Sequence, residues 1–100
     1  MIPHNKPTLG RREIEAAERV INSGWVAQGK EVASFEDEIS KFLGLDHGHV
    51  VVVSSGTAAL FMSLWALESK GCRVGVPVYS CTALKNSVEM AGASPVYLDC

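Results

Sequence analysis

Val50-Val-Val-Val-Ser-Ser-Gly-Thr-Ala-Ala-Leu60 is the stretch from which the rest of the chain can be read. Its four consecutive valines are an unbroken β-branched run, the pattern of a strand buried on both faces in a parallel sheet. Ser54-Ser55-Gly56-Thr57 stops that run, and a helical pattern begins at once. A strand that ends in small residues and opens a helix forms a cradle for an anion. The unbonded N–H groups of the first helical turn, the positive end of the helix dipole and the hydroxyls of Ser55 and Thr57 converge on one place. Gly56 has no side chain to hold an anion away from the backbone. The same residues also describe an ordinary βα turn with a Ser or Thr N-cap, and the stretch by itself leaves both readings open.

Upstream, the spacing predicts a helix over about Arg11–Ser23, with Thr8 as its cap and Ile14, Ala17 and Ile21 on one face. Gly24 suits the left-handed position that ends a helix. Trp25-Val-Ala-Gln-Gly29 reads as a connector bounded by glycines, and Val32, Phe35, Ile39, Phe42 and Leu43 mark a second helix over about Lys30–Leu43. Glu31, Glu36, Asp37 and Glu38 read as a solvated helix face, since nothing beside them in sequence desolvates a carboxylate. Downstream, strands are expected at His49–Val53, Arg73–Pro77 and Pro95–Asp99. Helices are expected over about Thr57–Ser69 and Thr82–Met90. The order β–α–β–α–β implies an α/β fold built on a parallel sheet. Ligand-binding loops in such sheets lie beyond the carboxyl ends of the strands, which places Ser54–Thr57 and Val78–Cys81 on one rim. A doubly wound sheet seldom stops at a third strand, so the reading is the first part of a larger protein.

The chain of 100 residues is 47% hydrophobic and 20% charged, an ordinary globular composition. A net charge of -2 with scattered Lys and Arg argues against nucleic acid as a partner. No apolar run is long enough to span a bilayer, so no membrane role is expected. Cys72, Cys81 and Cys100 are an odd set without a CxxC pair, which argues against a disulfide framework or a zinc site and for a reducing cytoplasm. His4, His47 and His49 form no ligand pattern with them, and His47-Gly-His49 is expected to face solvent.

Several motifs, in order along nearly the whole chain, carry a family resemblance. They are Pro7-Thr-Leu-Gly10, Ser23-Gly-Trp-Val-Ala-Gln-Gly29, Phe35-Glu36, Ser55-Gly-Thr-Ala-Ala-Leu60, Val76-Pro-Val-Tyr-Ser80 and Ala91-Gly-Ala-Ser-Pro-Val-Tyr-Leu-Asp99. Together they resemble the start of the DegT/StrS nucleotide-sugar aminotransferases, enzymes that depend on pyridoxal 5'-phosphate (PLP). The resemblance implies the N-terminal part of the large domain of the fold type I aminotransferases. Residues 1–100 would supply its N-terminal arm, helices and first βαβαβ portion, with the remainder of the domain lying beyond them. It also implies a homodimer that moves an amino group, usually from glutamate, onto a keto-sugar linked to a nucleotide, in polysaccharide or deoxyamino-sugar synthesis.

On this resemblance Ser55, Gly56 and Thr57 match the turn that binds the cofactor phosphate. Cys81 stands where the family usually carries an aromatic residue that stacks on the pyridine ring, and it is expected near the cofactor. A thiol packs against a ring but offers no π face. Tyr79, two residues away on an extended segment, points to the other side. Trp25–Gly29 resembles a segment near the active site at the dimer interface; a Trp packed on the core is the other reading of the same residues. The family's Schiff-base lysine and its pyridinium-binding acid are expected after residue 100, and Lys85 is read as a solvent-facing helix residue. The 100 residues alone are therefore expected to be inert as a catalyst. Three further readings stay open: a PLP-dependent sugar dehydratase of the same family, a truncated non-catalytic remnant, and a small anion-binding βαβ module. The last lacks a full GxGxxG or Walker pattern.

Overall fold

In a computed structural model of the chain, residues 4–99 are described. They fall into two units, one ending at Val51 and the other beginning at Val52. Cys100 lies outside the described residues.

The first unit carries two helices. Helix α1 spans Arg11–Ser23 and starts at Gly10, whose N–H donates to Glu13 Oε2 at 2.6 Å. The cap is therefore Gly10 and not the expected Thr8; Glu13 reaches back over the first turn because a carboxylate three residues into a helix can satisfy the cap's own N–H. At the other end Gly24 is left-handed, with φ 69°, and the Ser23 hydroxyl donates to Val20 O. The expected face of Ile14, Ala17 and Ile21 is not covered: α1 has no buried residue, and both isoleucines are 67% exposed. Helix α2 spans Lys30–Phe42, with Leu43 as its C-cap rather than its last turn. Val32 and Ile39 are half-buried, while Phe35 and Phe42 lie open. Arg19 Nη2 and Glu31 Oε1 lie 3.5 Å apart and join the two helices. Both side chains are more than half exposed, so the pair contributes little.

The second unit contains helix α3 (Gly56–Ala66), strand β1 (Arg73–Pro77), helix α4 (Thr82–Met90) and strand β2 (Ser94–Leu98). β1 and β2 pair in parallel, from Arg73 opposite Ser94 to Pro77 opposite Leu98. Helix α4 makes the crossover and packs on both strands, and α3 packs on α4. Val76, Val88 and Ala93 form the core, with Leu64, Val74 and Leu84 against it. This is the α/β arrangement expected, with two strands rather than three among the described residues. Among the described residues no strand is formed at the expected His49–Val53, and Val51 is 72% exposed. A β-branched run states a preference for extended backbone, but a strand exists only where a neighbour supplies the ladder. β2 begins at Ser94 and closes at Leu98, one residue before the expected span at each end.

Helix α3 stops at Ala66, earlier than the expected Ser69, through a turn the sequence does not announce. Glu68 N–H donates to Trp65 O and Ser69 N–H to Leu64 O, with Glu68 in the left-handed region at φ 53°. This pair of bonds is a Schellman end. Helices α2 and α4 end with the same pair of bonds, and there the left-handed residue is Gly44 or Gly92. A side chain in that conformation costs roughly 1–2 kcal/mol, against about 0.5–1 kcal/mol for the added freedom of a glycine. Glu68→Gly is therefore expected to stabilise the intact polypeptide by about 0.5–1 kcal/mol, since the cost removed exceeds the entropy glycine adds. A melting temperature lower than wild type would contradict this account of the turn.

Candidate anion site at the start of helix α3

Ser55 is the N-cap of α3, with extended backbone at φ -163°, and its Oγ accepts the Ala58 N–H at 3.2 Å. An oxygen that accepts in this way keeps its own proton for an outside partner. The N–H groups of Gly56 and Thr57 meet no acceptor among the described residues, as the first turn of a helix requires. The Thr57 hydroxyl is likewise without a partner there. Two backbone and two hydroxyl donors thus gather at one helix end. No residue from Val50 to Leu67 is charged, so nothing in the stretch repels an anion. Ser55 and Gly56 are exposed and Thr57 is half-buried. A methyl group built on Gly56 would meet nothing within 4 Å, so the space before the backbone is open. Donors only, a helix dipole and free approach are what a phosphate group requires.

Cys81 is the N-cap of α4 and is exposed, with φ -70° and ψ 151°. Its side chain makes no capping bond. It follows the turn after β1, where Ser80 Oγ donates to Pro77 O at 2.9 Å. Tyr79, in that turn, is 99% exposed. The Ser55–Thr57 turn and the Cys81 loop are tied into the same unit by a residue that sequence reasoning missed. Ser87, on α4, is wholly buried, and its Oγ lies 3.2 Å from Thr57 O and 2.7 Å from Ala83 O. The signal was there: Leu84, Ser87, Val88 and Ala91 share one helical face, and a hydroxyl on an apolar face needs a partner. Cys81 lies about 9 Å along the helix axis from Ser87, at 1.5 Å of rise per residue.

The other singled-out residues lie elsewhere. Lys85 is half-buried and pairs with Glu89 at 3.4 Å along its own helix. His47 and His49 are exposed as expected, but the acidic face of α2 is not purely solvated: His47 Nδ1 lies 2.5 Å from Asp37 Oδ1. Trp25 is 65% exposed and does not pack in a core; its Nε1–H donates to Gln28 O at 3.0 Å. Cys72 and Cys81 are free thiols. Among the described residues no group of three or more His, Cys, Asp or Glu could hold a metal ion, and no helix is long and apolar enough to cross a membrane.

Comparison with known proteins decides the ancestry. The sequence matches the model of the DegT/DnrJ/EryC1/StrS aminotransferase family over residues 7–100. The chain belongs to this family. It is 38% identical to the dTDP-4-dehydro-2,3,6-trideoxy-D-glucose 4-aminotransferase of Saccharopolyspora spinosa, across 99% of its own length and 26% of that protein. It is also 38% identical to the spore coat polysaccharide biosynthesis protein SpsC of Bacillus subtilis, across 98% of its length and 25% of the relative. Among solved structures it superposes on a protein of Streptococcus pneumoniae, described as a sugar aminotransferase, with a TM-score of 0.86 and 31% identity, over 98% of this chain and 25% of that one. The aminotransferase TlmJ of Streptoalloteichus hindustanus gives 0.84 and 35%, over 97% and 27%. The chain thus spans about a quarter of the length of these family members. The S. pneumoniae protein has been solved in PLP-, PMP- and apo-forms, which together with the family indicates pyridoxal phosphate as the cofactor of this group.

Proposed function

We propose that this chain supplies the cofactor-phosphate anchor of a PLP-dependent aminotransferase acting on a nucleotide-linked keto-sugar. One observation carries the reading: a helix start in a sugar-aminotransferase fold offers the N–H groups of Gly56 and Thr57 and the hydroxyls of Ser55 and Thr57 as donors with no competing acceptor among the described residues, in a stretch, Val50–Leu67, that carries no charged residue. Bound pyridoxal phosphate would supply the electron sink that lets an amino group leave one carbon and join another. Ser55, Gly56 and Thr57 would hold its phosphate and so fix the cofactor's orientation. Cys81 would lie on the ring side, at the head of α4, where a thiol fills space without stacking. The proposal includes glutamate as amino donor, a homodimer in the cytoplasm, and a catalytic lysine and a pyridinium-binding acid in sequence beyond residue 100.

The test is made on the full-length polypeptide that contains this segment. It is titrated with PLP, then given L-glutamate with a nucleotide-linked keto-sugar. Formation of 2-oxoglutarate with an equal amount of amino-sugar is the expected result. PLP binding followed by loss of water from the sugar, with no amino group transferred, would replace the reading with the dehydratase. No binding of PLP at all would remove it.

A further inference from the structure

We propose that Ser87 is a positioning residue for the anion cradle, holding the peptide unit between Thr57 and Ala58 in the plane that presents Ser55 to the phosphate. The proposal rests on the reading of Ser55–Thr57 as a phosphate anchor. That peptide unit is gripped at both ends. Its carbonyl, Thr57 O, accepts from Ser87 Oγ, and its N–H, on Ala58, donates to Ser55 Oγ. A peptide unit is rigid and planar, so two fixed ends fix its orientation. The chain of contacts then runs from Ser87 through the peptide to Ser55, whose remaining proton is free to donate outward. Hydrogen bonds linked in this way polarise one another, which makes the last donor a better partner for an anion.

The rest of the contact between α3 and α4 has no such direction. Leu64 and Leu84 pack beside the core, and apolar contact tolerates sliding. Ser87 has no exposed surface, so water cannot take the place of its hydroxyl. Its one proton is shared between Ala83 O and the more distant Thr57 O. That sharing makes the tie to α3 modest in strength but leaves it directional.

The test compares PLP with pyridoxal, which lacks the phosphate, on the full-length polypeptide. Dissociation constants are read by absorbance titration, with the melting temperature of the cofactor-free protein measured alongside. Ser87→Ala is expected to weaken PLP about threefold to tenfold, the range for one hydrogen bond, and to leave pyridoxal unchanged. Ser87→Thr, which keeps the hydroxyl, is expected to retain the preference for PLP if it folds; if it does not fold, the alanine variant decides alone. An alanine variant that binds PLP as wild type does, or loses both ligands equally, overturns the proposal. Ser55→Ala/Thr57→Val serves as the reference. If that pair leaves the preference for PLP intact, the phosphate reading fails along with this one. If it abolishes the preference while Ser87→Ala does not, only the role of Ser87 fails.

Discussion

Expressed by itself, the 100-residue polypeptide is expected to lose its helical signal gradually on heating, to bind an apolar dye before melting, and to self-associate at micromolar concentration. The reason is how little of its apolar surface is covered. The buried hydrophobic side chains of the described residues are Val76, Val88 and Ala93, all in the second unit. Against them, helix α3 leaves Leu60, Met62, Trp65 and Leu67 exposed at 40–77%, and its sequence is apolar on every side. A helix of that kind is built for surroundings that cover it fully. Single exposed apolar residues are ordinary, but a helix that is apolar on every side and covered only where it meets α4 leaves a contiguous patch of the sort that drives association. The pair β1–β2 adds open ladder edges, which template further pairing. In the first unit, Ile14, Ile21, Trp25 and Phe42 are each at least 65% exposed. A sharp, reversible transition by circular dichroism, with a monomeric species in sedimentation, would show this reasoning to be wrong.

In the full-length polypeptide, replacing both hydroxyls of the cradle (Ser55→Ala with Thr57→Val) is expected to raise the dissociation constant for PLP by roughly 10²–10³-fold. A hydrogen bond to a charged group is worth about 1.5–3 kcal/mol, and each factor of ten costs 1.4 kcal/mol. Two such bonds would give more if they were independent. The N–H groups of Gly56 and Thr57 survive the change and keep part of the site, which sets the lower figure. Thr57→Val preserves the shape of a half-buried side chain. Ser55→Ala also removes the acceptor of Ala58 N–H, at about 1 kcal/mol of helix stability. Pyridoxal provides the control, since it loses nothing to the missing donors. An unchanged constant for PLP would mean that the phosphate binds elsewhere.

The helices were legible where their ends are written in side-chain chemistry. Gly24, Gly44 and Gly92 mark three of the four ends and all three are left-handed, as expected from the sequence for Gly24. The fourth end was misread because Glu68 occupies that position, and a glutamate gives no sign of a left-handed turn. Ser55 as N-cap could be read, because a Ser before a Gly-Thr-Ala-Ala run has one obvious use. The valine run misled for the opposite reason: local preference identifies a segment that would suit a ladder, while the ladder itself depends on residues far away in sequence. Ser87 stands out in sequence only as a hydroxyl on an apolar helical face; its partner, a backbone carbonyl thirty residues upstream, is marked by no side-chain pattern.

The parallel pairing carries a kinetic consequence. Every residue of β1 meets the one twenty-one positions later, as Arg73 meets Ser94 and Pro77 meets Leu98. Nine of the residues in between belong to α4, and helix formation is orders of magnitude faster than the search by two strands for their register. Once α4 has formed, the strands are joined by a short stiff strut in place of a flexible loop. Most of the entropy of closure is then spent before the first ladder bond forms. In the full-length polypeptide this crossover is therefore expected to gain protection early in pulsed hydrogen exchange, because its two strands are close in sequence.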